Sequence, residues 1–228
     1  MADIIELSAT DLAAMLCSRV CHDLINPIGA IGNGLEVLTD PGQTEMAESA
    51  RDLIASAAKQ ARAKLELARL AFGASSTAGT EISTRDCEHV ARTYFEIEKA
   101  DLDWQVPMIM LPKNKAKLFM NMLLIAATAV PRGGVVRAEI SGEAGAEQFR
   151  FTAKSDPEKR QKTLVPSGSA ELLSGAPPDG VDARGIQPFY TGLLARMSDM
   201  AVSIGLEGEE FVFTATPKAQ DLANPSIA

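Results

Sequence analysis

The sequence predicts an α + α/β protein, in which an N-terminal helical hairpin is followed by an α/β sandwich. Three observations support this prediction. Apolar residues recur at steps of three and four through residues 8–72, as on one face of a helix. Alternating apolar and polar runs, typical of strands, appear only after residue 80. Between them lies GASSTAGT, 73–80, which is small and apolar-poor like a linker.

These patterns define four segments. We predict a hairpin over 1–73, a linker over 74–80, an α/β domain over 81–217 and a disordered tail over 218–228.

The hairpin consists of two helices joined by the turn TDPGQT. Ser8 begins a capping-box pattern for the first helix, which runs to about Leu38. Asp40 is placed to cap the second helix, with Pro41 at its first position, and that helix runs to about Phe72. Two helices alone cannot enclose a core, so we expect the hairpin to pair with a second copy in a four-helix bundle. The first helix contributes a continuous apolar seam of Val20, Leu24, Ile28, Ile31, Leu35 and Leu38.

The α/β domain alternates helices with strands. Helical patterns cover 83–99, 113–130 and 188–200, with a short helix at SAELL, 169–173. Extended patterns are LDWQV, GVVRAEISG and EQFRFTAKS, followed by the hairpin AVSIGLEGEEFVFTAT. This order predicts helices on one face of a mostly antiparallel sheet.

Composition excludes several classes of function. The 228 residues carry a formal net charge of −8 without a Lys/Arg block, which argues against nucleic-acid binding. The acidic N-terminus lacks the features of a signal peptide, and the longest apolar run, 122–130, is far below the roughly 20 residues that span a bilayer. Cys17, Cys21 and Cys87 match neither a disulfide framework nor a zinc site. We therefore expect a cytoplasmic protein with no membrane contact and no metal.

The stretch LCSRVCHDLINPIGAIG, 16–32, holds one of the two histidines of the chain. On a helix His22 lies opposite Val20 and Leu24, and therefore faces water. Polar side chains and the apolar Ile25 surround the ring position. Pro27 removes the backbone hydrogen bond to the carbonyl of Asp23. The polar neighbours are Ser18, Arg19, Asn26 and Asn33.

This arrangement fits the chemistry of phosphoryl acceptance. Histidine is neutral and nucleophilic near pH 7, and an adjacent carboxylate such as that of Asp23 can hold one ring N–H so that the other nitrogen attacks. The other histidine, His89, has no matched partners and is predicted to be a surface or interdomain residue.

HDLINPI, 22–28, resembles the H-box of dimeric sensor histidine kinases, with its histidine, acidic residue and proline at the same offsets. The resemblance implies a DHp-like hairpin that dimerises into a four-helix bundle. It also implies that His22 is the phosphoacceptor, Asp23 the adjacent acid/base and Asn26 a residue that can position a water for phosphatase action.

The second part resembles the ATP-binding domain of those kinases in element order, with eroded motifs. Asn121 stands at the first asparagine of the N-box, but Ile125 occupies the place of the Mg²⁺-binding asparagine, and Mg²⁺ requires oxygen ligands. SDPEKRQ retains Asp156 without the glycines of the nucleotide-binding turn, and QPFYTGLLARM retains only Gly192 of the phosphate loop. We expect a degenerate, Bergerat-like domain without ATP.

An intact H-box hairpin joined to an eroded ATPase-like domain resembles the ChpT-type histidine phosphotransferases of alphaproteobacterial phosphorelays. The resemblance implies that the chain passes a phosphoryl group from the receiver of a CckA-like hybrid kinase to CtrA-like and CpdR-like response regulators. These receivers bring the Mg²⁺, so the chain needs no cofactor. Four exposed residues on the histidine face are predicted to contact the partner, namely Ser18, Arg19, Ile25 and Gly29.

Two other functions remain open at this point. One is an ATP-dependent histidine kinase, and the other is a non-catalytic dimeric adaptor in which His22 is incidental.

Overall fold

The structure is a computed structural model that describes residues 4–73, 81–159 and 161–218. The predicted linker, 74–80, and residues 219–228 of the predicted tail lie outside these residues. The helices are α1 (Ala9–Thr39), α2 (Ala47–Ala71), α3 (Thr84–Phe95), α4 (Lys113–Thr128), α5 (Ser169–Ser174) and α6 (Ile186–Met197). The strands are β1 (Glu81–Ser83), β2 (Ala100–Gln105), β3 (Met110–Pro112), β4 (Gly134–Ser141), β5 (Gln148–Ser155), β6 (Met200–Glu207) and β7 (Glu210–Pro217). Two 3₁₀ helices span Pro41–Met46 and Pro157–Lys159.

The hairpin forms as the sequence predicts, with one correction at its turn. The hydroxyl of Ser8 accepts the backbone N–H of Asp11 and so caps α1, and Asp40 accepts the backbone N–H of Gly42. The six residues that follow Asp40 form a 3₁₀ helix, and α2 begins only at Ala47. Gly34 lets the two helices approach closely, since a Cβ there would lie 2.6 Å from Cγ1 of Ile54.

The predicted apolar seam is only partly buried in the single chain. Val20, Leu24, Ile31 and Leu38 are half-buried, whereas Ile28 and Leu35 are 58% and 51% exposed. The single chain therefore leaves these two residues of the seam uncovered. Helical periodicity shows which face of a helix is apolar. It does not show whether that face is buried by the same chain or by another molecule.

The α/β domain contains a five-stranded sheet in the order β2-β4-β5-β7-β6, with β2 parallel to β4 and the other pairs antiparallel. Helices α3, α4 and α6 pack against the sheet, and exposed cross-strand pairs such as Arg137–Asp103 lie on its other face. The ring of Phe119 packs against Phe149, Phe151 and the partly buried Trp104. The short β1–β3 pair is a feature that the sequence analysis missed.

The hairpin is packed against the α/β domain. Leu67 and Ala71 of α2 belong to the same buried cluster as the sheet, and Leu12 and Leu16 of α1 pack against that cluster. The N–H of Ile5 also donates to the carbonyl of Gly175 at 2.8 Å. This packing fixes the position of α1, which carries His22, relative to α4 and α6.

Candidate functional site

His22 lies in the middle of α1 and extends into solvent. Its side chain is 80% exposed, as the helical spacing predicts, whereas Val20 and Leu24 on the opposite face of α1 are half-buried. An imidazole in this position is accessible to the active site of another protein. His89 is also exposed, on α3.

Asp23 lies beside the imidazole and is held by a neighbouring cation. Its Oδ1 lies 3.7 Å from Nδ1 of His22, which is too long for a hydrogen bond but close enough for electrostatic attraction. Its Oδ2 accepts a 2.9 Å charge-assisted hydrogen bond from Nε of Arg19, one turn earlier on α1. Asp23 is therefore oriented toward the ring through a partner on its own helix.

The other predicted site residues line the exposed side of α1. Ser18, Ile25, Asn26 and Gly29 are all exposed, and all stand three, four or seven residues from His22. Ile25 is 67% exposed, and nothing lies within 4 Å of the place where Gly29 would carry a Cβ. This arrangement leaves a flat surface with one apolar side chain beside the imidazole, on which another helix can pack.

One residue of the second helix reaches this site, and the sequence analysis missed it. Nζ of Lys64 donates to the main-chain carbonyl of Asp23 at 3.4 Å. The signal in the sequence is Pro27, which has no N–H to donate to that carbonyl. The proline shows that the Asp23 carbonyl needs another hydrogen-bond donor, but it does not indicate which residue supplies that donor.

A small cleft of about 80 Å³ lies behind Asp23, between the hairpin and helices α3 and α4. Arg19 and Lys64 line it from the hairpin, and Tyr94 and Glu98 from the α/β domain. Burial, reinforced by the charge of Glu98 and a hydrogen bond to it, raises the pKa of Tyr94 well above its usual value. The phenol therefore stays protonated at neutral pH.

Ile125, which the sequence resemblance places at a Mg²⁺-ligand position, lies on the other side of Arg19. A cleft of about 380 Å³ separates α4 from the segment before α6, with Ile125 and Arg19 in its lining. Ile125 is almost fully buried and presents hydrocarbon where a Mg²⁺ ion requires oxygen. Within the described residues no cluster of three His, Cys, Asp or Glu side chains is placed to hold a metal ion. Ile125 therefore contributes no oxygen ligand to this cleft.

The surviving motif residues have structural contacts. Asn121 is fully buried, and its Nδ2 donates to the carbonyl of Ala71 at 3.0 Å and to that of Lys117 at 2.9 Å, which ties α4 to the end of α2. A Cβ on Gly192 would collide with the carbonyl of Leu173, so this glycine allows α6 to pack against α5. Asp156 accepts the N–H of Glu158 and begins the second 3₁₀ helix.

Comparison with known proteins identifies the family. A family model described as the histidine phosphotransferase C-terminal domain matches residues 84–210. The protein phosphotransferase ChpT of Brucella abortus (strain 2308) is 45% identical over 212 residues, which cover 92% of this chain and 98% of the relative. The chain belongs to the histidine phosphotransferase family.

The fold of this phosphotransferase agrees with a solved relative. A bacterial phosphotransferase structure at 45% identity superposes with a TM-score of 0.84 and covers 93% of this chain and all of its own. The predicted helical hairpin and α/β sandwich are confirmed. No helix in the described ranges is both long and apolar enough to cross a membrane.

Proposed function

We propose that this phosphotransferase is the histidine-bearing step of a two-component phosphorelay. His22 accepts a phosphoryl group from the receiver aspartate of a hybrid histidine kinase and passes it to the receiver aspartate of a response regulator. The observation that carries the proposal is the 80% exposed imidazole beside the oriented carboxylate of Asp23. The family to which the chain belongs supports the same chemistry.

In the first half-reaction neutral His22 attacks the phosphorus of the donor acyl phosphate. Because Asp23 lies on the Nδ1 side, Nε2 is the free nitrogen that attacks. The Nε2–P bond forms as the P–O bond to the donor aspartate breaks, and the donor leaves as a carboxylate. Asp23 stabilises the imidazolium that results, with its proton on Nδ1.

The second half-reaction reverses these steps with another receiver. The carboxylate of the acceptor aspartate attacks phosphorus, the P–N bond breaks and neutral His22 is restored. Phosphoryl transfer depends mostly on positioning and charge neutralisation, and each receiver supplies the Mg²⁺ that this requires. Asn26, one turn beyond His22, positions a water when the phosphoryl group is lost by hydrolysis instead.

The proposal excludes ATP as the phosphoryl source. Support comes from Ile125, which is a buried hydrocarbon side chain at the position that resembles a Mg²⁺ ligand, and from Gly192, which is the single glycine retained in the segment that resembles a phosphate loop. The α/β domain then serves as a scaffold that holds α1 and as additional surface for partners.

The partners we propose are a CckA-like receiver as donor and CtrA-like and CpdR-like regulators as acceptors. They dock on the flat surface formed by Ser18, Ile25 and Gly29, with Ile25 as the apolar contact. Arg19 pairs with Asp23 through Nε, and we propose that the rest of its guanidinium contacts the partner.

We also propose that the functional unit is a homodimer. Among the large apolar side chains that the hairpin leaves about half exposed in a single chain, we propose that a second copy covers four. Light scattering is expected to give twice the chain mass at micromolar concentration. The four residues are Ile28, Leu35, Met46 and Leu53.

The three free thiols support a reducing compartment such as the cytoplasm, since two of them, Cys17 and Cys21, are exposed and unpaired. Cys87 is buried, and burial raises the pKa of its thiol to about 12.

The deciding experiment is a reconstituted relay. A phosphorylated CckA-like receiver and an unphosphorylated CtrA-like receiver are mixed with and without this chain, and label on the acceptor is followed. Transfer that depends on the chain supports the proposal. Label taken from ATP and Mg²⁺ without any receiver would instead indicate a kinase, and transfer that survives His22→Gln would indicate an adaptor.

A further inference from the structure

The carbonyl of Asp23 lacks its normal helical donor. In α1 that oxygen would accept the N–H of residue 27, but residue 27 is a buried proline. An unpaired backbone carbonyl inside a packed hairpin is costly, so an outside donor is required. This missing bond lies in the turn that carries both His22 and Asp23.

Lys64 of α2 supplies that donor. Its Nζ lies 3.4 Å from the carbonyl oxygen, across 41 residues of sequence. The donor is a charged ammonium group, and the contact is longer than a typical N–H···O hydrogen bond. The ammonium also lies in the cleft shared with Arg19, Tyr94 and Glu98, where water has little room.

Two cationic side chains thus bind Asp23, one at its side chain and one at its main chain. Arg19 binds the carboxylate of Asp23, and Lys64 binds its main-chain carbonyl. The first contact lies within α1, whereas the second ties α1 to α2 at the level of the phosphoacceptor. Arg19 thus holds the side chain of Asp23, and Lys64 holds the backbone turn that carries it.

We infer that Lys64 is a positioning residue for phosphotransfer at His22, acting through the Asp23 carbonyl that Pro27 leaves without a donor. The inference rests on the proposed function. It predicts that the effect of Lys64 depends on the residue at position 27, which a general charge effect or a stability effect would not.

Single-turnover transfer from a CckA-like receiver, phosphorylated with acetyl phosphate, measures this role. Lys64→Met keeps the length of the side chain and its helix propensity while removing the donor. We expect the rate at saturating receiver to fall about tenfold, with an unchanged half-saturating receiver concentration. Lys64→Arg, which keeps a cationic donor, is expected to restore most of the rate.

The matched control is Lys59→Met, which removes the same charge from the same helix. Lys59 pairs with Glu96 at the surface, at 2.8 Å, and has no contact with Asp23. We expect its transfer rate to equal that of the unaltered chain. Far-UV circular dichroism and thermal melting confirm that all variants are folded.

The Pro27→Ala background decides whether Lys64 acts through the Asp23 carbonyl, because alanine restores the missing N–H of residue 27. In that background Lys64→Met is expected to change the rate by no more than about twofold, since the carbonyl already has a donor. An equal loss in both backgrounds would show that Lys64 acts through its charge and would overturn the inference. A raised half-saturating concentration would assign Lys64 to receiver binding and would overturn it as well.

The failure of this inference is distinguishable from failure of the proposed function. An unaltered chain that takes up no phosphoryl group overturns both. An unaltered chain that transfers normally, with Lys64→Met transferring at the same rate, overturns only the role of Lys64.

Discussion

The exposed face of α1 and the cleft between α4 and α6 share Arg19 as a neighbour, yet they differ in what their motif residues do. On α1, His22 is open to solvent and Asp23 is oriented beside it. In the cleft, Ile125 is buried and Gly192 is in packing contact with α5. The two regions therefore have different roles. The hairpin carries the exposed reactive groups, and the α/β domain supplies packing contacts that hold the hairpin in place.

The largest effect that tests this comparison is the loss of the nucleophile. His22→Gln is expected to lower phosphotransfer by at least about 10³-fold, because no other group on this face can form the phosphorylated intermediate. The matched control is His89→Gln, which removes the other exposed histidine and is expected to transfer normally. A phosphotransfer assay with acid-labile label on the chain checks both. Comparable losses in the two variants would contradict the assignment to α1.

Glycines provide the next test, because the two regions use them differently. Gly192→Ala forces a methyl group against the carbonyl of Leu173 and is expected to lower the free energy of unfolding by about 2–3 kcal/mol. Gly29→Ala meets open space and is expected to raise it by up to about 1 kcal/mol, because alanine favours a helix.

Urea unfolding monitored by circular dichroism measures both glycine variants. We expect the free energy of unfolding to fall in Gly192→Ala and to rise in Gly29→Ala. A Gly192→Ala chain as stable as the unaltered one would show that the glycine has no packing role, and would reopen the question of what this position does.

Helix-level features were predictable from the sequence because they depend on neighbours within one turn. The exposure of His22 follows from its angular distance to Val20 and Leu24, and the start of α1 follows from Ser8. The exposed seam residues were not predictable in the same way. Ile28 and Leu35 carry a helical core pattern, but the surface that covers a core can come from another molecule.

Contacts between distant segments could not be predicted from the sequence. Pro27 shows that the Asp23 carbonyl needs a donor, but Lys64 is one of many cations that could provide it. Asn121 has the residue type of an N-box and yet donates to the carbonyl of Ala71, because its partner is set by the packing of α2 on α4. The β1–β3 pair is too short, at three residues per strand, to produce a readable alternation.

The smallest effect concerns where a receiver docks. Ile25 is the large apolar side chain beside His22, and its burial by a partner helix would contribute roughly 1–2 kcal/mol. Ile25→Ala is therefore expected to weaken receiver binding about 5- to 30-fold while the rate at saturating receiver stays near normal. Leu206→Ala is the matched control, since Leu206 is about half exposed on β6 of the α/β domain, and we expect it to leave binding unchanged. Calorimetric titration with an unphosphorylated receiver measures both. Equal weakening would mean that the receiver also contacts β6, and the additional surface that the α/β domain offers to partners would then include Leu206.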